Sequence, residues 1–511
     1  MKLKSITQSK KVAVMISYLI ILANTFSNLL LTPMYLKYLG IERYGLYQMV
    51  YSVAQYILIL DFGISTTMVR YISMYHAHDD YESESNFASH CLTIVISVII
   101  VVGIIGTLIN SNLLKIYPSI TKEEASTAHT IFSVMVLTIA ITIIEHFLQG
   151  IIMAYEHFSI VRLISLLKII SKVVITIAFL LIGLDVISIV IADLLVALLS
   201  ISLLGIYSFG FLRFKIRLTK FSKVLFLSIL SFMFAIFLQS VVSYVNNVVD
   251  KTILGIMTTK KDVAVYSVAL TFITLFNSLP SAISGVFLPQ ATRLVSRDAD
   301  RDSLTKFVVR PGRYQFMICG AVIIGFIILG KDFIILWAGK NTIQAWAVAL
   351  IIMIPNMIPL IENTIISILD AKKKRLFRSI VLLGISIVNV IVSIILVSKY
   401  GMMGAPIGTA FSFVVGYGLV LNIYYDRIIG VNVVKMFKQI FSKIWICLLL
   451  TAAVMISIDH YLIIGLSWIS LIIKGILFCV IYGGLLLVFG LNEEEKKDII
   501  GIFAKFVKIR K

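Results

Sequence analysis

Charge is scarce in this sequence. Only 14% of its 511 residues are Asp, Glu, Lys or Arg, 59% are hydrophobic, and the mean hydropathy is +1.02. A soluble domain of this size carries far more charge, so the balance excludes one and predicts a polytopic membrane protein. Cysteine is also rare: Cys91, Cys319, Cys447 and Cys479 fall in or beside apolar runs without paired spacing, which points to neither a disulfide framework nor a zinc site. Long connections on the expected outer side are missing too. They stay under about 20 residues and contain no Asp-x-Asp, which argues against a membrane glycosyltransferase or polymerase. Nor is a nucleotide site expected. Gly325 to Lys331 has the glycine and lysine spacing of a phosphate-binding loop, but Asp332 stands where Ser or Thr should hold magnesium, and no strand precedes it. No nucleophile, base and orienter set stands out, so the chain is read as no enzyme, with no cofactor and no metal. No cleavable signal peptide is expected, because the apolar run after Lys11 is too long and continues as a span.

What is present is a succession of apolar runs, roughly 14 of them at about 20 residues each. They extend over 12–36, 44–72, 87–109, 127–153, 160–182, 186–209, 224–249, 263–290, 314–336, 344–368, 379–397, 402–424, 443–463 and 467–490. The net charge of +19 does not indicate nucleic acid, because the basic residues are dispersed between the runs. Of the 45 Lys and Arg, 32 fall on the side of the N-terminus and 10 on the other, leaving Lys168, Lys172 and Lys474 embedded. This asymmetry predicts a multi-pass protein of the cell membrane with both termini cytoplasmic.

The first run ends in LTPMYLKYLGIERYGLY (Leu31 to Tyr47), and the second contains LDFGISTTMVRYIS (Leu60 to Ser73). Tyr-Leu-Gly at 38–40, Tyr-Gly-Leu-Tyr at 44–47 and Asp-Phe-Gly followed by Arg70 give this region its character. Asp250-Lys251 with Ile253-Leu254-Gly255, Val265-Tyr266-Ser267 and PQATRL at 289–294 follow in order. Together they resemble the oligosaccharide flippases of the polysaccharide biosynthesis protein family, within the multidrug and oligosaccharidyl-lipid exporter superfamily. The resemblance implies an all-α membrane transporter that moves polyprenyl-diphosphate-linked oligosaccharide from the cytoplasmic to the outer leaflet by alternating access. It also implies proton or sodium coupling, and contact with polysaccharide polymerase or glycosyltransferases as partners. Two neighbours remain open: a small-molecule exporter of the same superfamily and a lipid II flippase.

An internal repeat is legible without the resemblance. Tyr47 and Tyr266 are 219 residues apart, and the runs starting near 160 and 379 share that interval. Arg70 to Ser73 lines up with Arg293 to Ser296, and Glu145 with Glu362, at nearly the same offset. An even number of spans per copy gives both copies one orientation, so two six-helix lobes related by a parallel repeat are expected. The expected division is 1–217, 218–440, an appended pair of helices in 441–490, and an amphipathic cytoplasmic tail in 491–511. Asn492 caps that tail helix, with Ile499, Phe503 and Phe506 on its apolar face.

Candidate site residues are the ionisable groups at membrane depth. The run VRLISLLKIISKVVITIAFLLIG (Val161 to Gly183) holds Lys168 and Lys172, and a basic side chain there costs about 2.5 to 3.5 kcal/mol on insertion scales. One helical turn apart, they share a face and either snorkel to the inner interface or look into a wet cavity, uncompensated and ready for a phosphate. Arg70, Arg162 and Arg293 lie near inner ends, where head-group anchoring competes with substrate binding. Asp61, Glu145, Asp193, Asp250 and Glu362 are candidates for ion coupling or for pairing with the cations, Asp61 and Glu145 foremost. His76, His78 and the acids Asp79 to Glu84 read as a solvated loop, and Lys372 to Arg378 as a polybasic patch against anionic lipid head groups. Gly404, Gly408, Ser412 and Gly416 recur every four residues as a ridge for close helix approach. Pro280, Pro289, Pro355 and Pro359 are expected bending points.

Overall fold

The computed structural model describes residues 10–217, 222–284, 287–297, 299–461 and 465–497, and among them there is helix and no strand. Helices are numbered here in chain order. The first unit contains α1 (Lys10–Ile57), α2 (Ile64–His76), α3 (Tyr81–Ser111), α4 (Lys122–Ala154), α5 (Phe158–Leu181), α6 (Ile187–Gly205) and α7 (Lys223–Met257). Then come α8 (Lys260–Ser284), α9 (Leu288–Ser296), α10 (Arg301–Ala338), α11 (Gln344–Ile361), α12 (Ile365–Ala371), α13 (Arg375–Tyr400), α14 (Gly404–Phe413), α15 (Val433–Phe441), α16 (Ile444–Tyr461) and α17 (Trp468–Leu485). Compact units comprise Met1–Ser267 and Val268–Lys511.

Ten helical stretches among the described residues are long and apolar enough to cross a membrane, which makes this a multi-pass membrane protein. The sequence divides the chain more finely. Met15–His76 and Phe377–Ile429 each run through two of the expected spans. In the first, hydrogen bonding carries α1 across Gly40, where φ 79° and ψ 167° make a kink that the Tyr-Leu-Gly motif supplies. The Asp-Phe-Gly motif makes a second break: a 3-10 turn at Leu58–Asp61 passes into left-handed backbone at Phe62 (φ 51°) and Gly63 (φ 65°) before α2 begins.

Within the first unit, α5 lies along α1 and α6, while α4 packs on α6, α2 and α3. The Tyr-Gly-Leu-Tyr motif has a packing reason here, because a Cβ at Gly45 would lie 2.1 Å from the Lys260 carbonyl oxygen. Within the second unit, α13 packs on α14 and α10 on α11 and α15. The small-residue ridge is what brings α14 onto α13: added Cβ atoms at Gly404 and Gly408 would stand 2.2 Å from Leu396 C and 2.4 Å from Ser393 Oγ. At the end of α17, Arg313 is buried and donates from Nε to Glu495 Oε1 at 2.5 Å and from Nη2 to the Gly490 carbonyl at 3.0 Å. Asn492 donates its N–H to Glu495 Oε2 at 2.8 Å, opening the tail. Ile499, Phe503 and Phe506 lie outside the described residues.

Candidate functional site

A helix that places polar residues at intervals of three and four in an apolar run must turn one stripe away from lipid. On α5 that stripe is Ser165, Lys168, Ile169 and Lys172, and it faces a cavity of about 410 Å³ inside the first unit. α1 contributes Asn24, Tyr51 and Gln55, α4 contributes Thr138 and Thr142, and α6 contributes Asp193; Met135, Ile139, Val190 and Val196 fill the spaces between. Hydroxyl and amide groups thus alternate with aliphatic wall around two amines.

Both amines are paired. Lys168 Nζ lies 2.7 Å from Glu145 Oε2, and Lys172 Nζ lies 2.6 Å from Asp193 Oδ1. The expectation of uncompensated cations is therefore corrected: each lysine sits against a carboxylate from the neighbouring helix, because an unpaired charge at membrane depth is far costlier than a paired one. Snorkelling is not needed where a counter-charge is within reach. The two pairs differ. Glu145 is 3% exposed, and its Oε1 also accepts from Ser200 Oγ at 2.9 Å and Gln149 Nε2 at 3.0 Å, so its lone pairs are well occupied. Asp193 is wetter, with 26% of its side chain exposed against 35% for Lys172. In the first pair only the lysine reaches the cavity, its carboxylate being held in a polar network behind it; in the second both partners line the cavity.

The other candidates disperse. Asp61, expected to neutralise a lysine, accepts from His146 Nδ1 at 2.9 Å instead. Arg70 is exposed, its guanidinium 4.4 Å from the Phe232 ring centroid. Arg162 is exposed near the start of α5 and Arg293 in the last turn of α9, and neither lines the cavity. Asp250 accepts from Tyr266 Oη at 2.7 Å. Glu362, buried in the second unit, accepts from Asn422 Nδ2 at 2.8 Å. Lys474 is buried between Asp459, to which it donates, and Asp332 at 3.8 Å. His146 and the neutral lining residues were missed in the sequence. His146 had a visible signal, being adjacent to Glu145 in an otherwise apolar run. Asn24, Gln55 and Thr138 carried none, since single polar residues are common in membrane helices.

Among curated proteins none matches this chain. Solved structures do. "Lipid II flippase MurJ, inward closed conformation" is 18% identical with a TM-score of 0.67, covering 92% of this chain and 98% of that one. An inward-facing multidrug resistance MATE family transporter of the MOP superfamily is 13% identical with a TM-score of 0.65, covering 82% and 96%. A mutant of the Vibrio cholerae MATE transporter VcmN is 14% identical with a TM-score of 0.52, covering 84% and 100%. At these identities the likeness is one of fold, the all-helical architecture of such transporters. The family profile of polysaccharide biosynthesis proteins matches residues 13–295, more than half of the sequence, and takes in every residue that lines the cavity. The chain belongs to the polysaccharide biosynthesis protein family.

Proposed function

We propose that this protein is a flippase that moves polyprenyl-diphosphate-linked oligosaccharide from the cytoplasmic to the outer leaflet of the cell membrane, with both termini in the cytoplasm. The observation that carries the reading is the cavity beside α5, where two lysines stand at membrane depth among neutral hydrogen-bonding side chains in a chain of this family. A diphosphate leaving water needs counter-charge in a low-dielectric space. A paired lysine supplies it by exchange. Phosphate oxygens take over the Lys172 ammonium from Asp193, and the cavity never holds a bare cation in either state. Lysine suits such a role because its ammonium is a compact point charge on a flexible stem, able to change partners and release them. Asn24, Gln55, Thr138 and Thr142 meet sugar hydroxyls, while the prenyl chain stays in lipid. Asp193, with Asp61 and His146, makes the first unit the place where a proton or sodium gradient couples to movement.

A small organic cation is the second reading, and the same pair motivates it. A ligand ammonium can take Asp193 from Lys172 as readily as a phosphate can take Lys172 from Asp193. The test is flipping of a fluorescent lipid-linked oligosaccharide in proteoliposomes. Lys172→Ala with Asp193→Asn removes both charges without stranding either, and is expected to fold normally yet lose flipping by about tenfold or more. Normal flipping by that double variant ends the proposal. Transport of organic cations that depends on Asp193 alone favours the exporter.

A further inference from the structure

Glu84, in the first turn of α3, is a carboxylate with an unfilled place. It is 2% exposed. Tyr155 Oη donates to its Oε1 at 2.6 Å, whereas Oε2 makes no hydrogen bond and has His76 Nδ1 at 3.5 Å. Neither Oε2 nor the His76 Nδ1 facing it completes a hydrogen bond, and buried polar atoms so left are destabilising, so a ligand hydroxyl that bonds to them would be favoured.

There is room for one. A cleft of about 760 Å³ opens at this point, walled on one side by the ends of α2, α3 and α4 and on the other by the connection that follows α6. That connection carries Arg213, Lys215 and Arg217, all exposed, along the rim. It is held in place rather than draped: the Arg217 N–H donates to Ser85 Oγ at 2.8 Å, the Ser222 N–H to His90 Nε2 at 2.9 Å, and Phe214 is 7% exposed. Aromatic faces complete the wall, with His76 4.3 Å and Phe214 6.2 Å from the Tyr155 ring centroid. A buried acceptor for hydroxyls, cations for phosphate and flat apolar faces for sugar C–H groups are the elements of one ligand chemistry, a sugar phosphate. The cleft shares its end of the bundle with Arg70, the end that the distribution of Lys and Arg assigns to the cytoplasm.

We propose that this cleft holds the sugar-phosphate headgroup of the lipid-linked cargo on the cytoplasmic side, before it reaches the cavity beside α5. The proposal rests on the flippase reading above and adds a receiving site to it. Docking here also touches the connection into α7, so that cargo is sensed by the segment joining the sixth long helix to the next.

The full chain in phosphatidylcholine nanodiscs is titrated calorimetrically with glucose, galactose and N-acetylglucosamine 1-phosphates, and separately with inorganic phosphate. Saturable binding of a sugar phosphate is expected, weakened about tenfold by Glu84→Gln and again by Lys215→Ala with Arg217→Ala. Inorganic phosphate should bind more weakly and ignore Glu84→Gln. If Glu84→Gln does not fold, the exposed Lys215 and Arg217 pair carries the same test. Equal binding of both kinds of probe reduces the cleft to an anion patch and overturns the proposal. So does loss of sugar-phosphate binding when phosphatidylglycerol is added to the nanodiscs, which assigns the cleft to a lipid headgroup. A wild-type chain that flips lipid-linked glycan while these variants bind and flip equally well overturns this site and leaves the flippase standing; one that binds nothing and flips nothing overturns both.

Discussion

Glu145 and Glu362, which the expected internal repeat lines up, are equally buried, at 3% exposure each. Their surroundings are not alike. Glu145 is paired directly with a cation, Lys168, together with Ser200 and Gln149, whereas Glu362 is hydrogen-bonded by the amide of Asn422 with Arg378 as a charged neighbour out of ion-pair contact. The helices beside them diverge in the same sense. At the interval of 219 residues Lys168 and Lys172 correspond to Ile387 and Ile391, and at the 217 that separates the two glutamates they correspond to Ile385 and Asn389, so neither place is charged on either count. The counterpart in the second unit thus keeps a buried acid with no lysine at the matching places. The cations of the first unit are therefore not a requirement of the scaffold. They are an addition to it, which is what a binding role would demand.

The sharpest way to break this contrast is to neutralise each acid. Glu145→Gln strands Lys168 and should cost about 3 to 5 kcal/mol, whereas Glu362→Gln keeps an amide-to-amide contact and should cost under about 1 kcal/mol. Thermal unfolding of the two variants in the same detergent measures the difference, and equal losses would mean that the lysine is not what holds Glu145. A somewhat smaller effect is expected from writing the charge of the first copy into the second. Ile391→Lys places an amine where no matching acid was identified on the neighbouring helix and should destabilise by about 2.5 to 3.5 kcal/mol; an unchanged melting temperature would show that this surface is wet. Smallest is the backbone comparison. Gly408→Ala drives a Cβ to 2.4 Å from Ser393 Oγ and should cost about 1 to 3 kcal/mol, while Gly205 at the end of α6 has open space around it, and alanine there should stabilise by about 0.5 to 1 kcal/mol. Matching signs for these two substitutions would contradict the close approach of α14 to α13.

Much of the architecture was legible in advance, for specific reasons. Length and hydropathy betray membrane helices because lipid admits few backbone solutions. Gly40 is readable because its positive φ belongs to glycine, and the ridge on α14 because small residues spaced by four announce a close helix neighbour whichever helix that is. The site was legible only by halves. Depth along α5 pointed to Lys168 and Lys172, and the cavity is where they point. Their partners were assigned less well: Glu145 does pair with Lys168, but Asp61 belongs to His146, and Asp193 on α6 takes Lys172. Position along one helix says nothing of rotation about the next. In the acidic loop after α2, His78, Asp79, Asp80 and Glu82 are exposed as expected, but Glu84 is enclosed by Tyr155 and the connection after α6, for the same reason.

The residues by themselves determined that this chain lives in a bilayer and where along each helix charge is costly, because those properties follow from local apolar content and spacing. Only tertiary structure decided which charge meets which, that the lysines are neutralised in pairs, and that the first unit has a largely apolar cavity with those pairs on its wall. Pairing depends on the rotation and closeness of helices far apart in sequence, and in a low-dielectric interior a difference of a few ångströms separates a stable ion pair from a stranded charge.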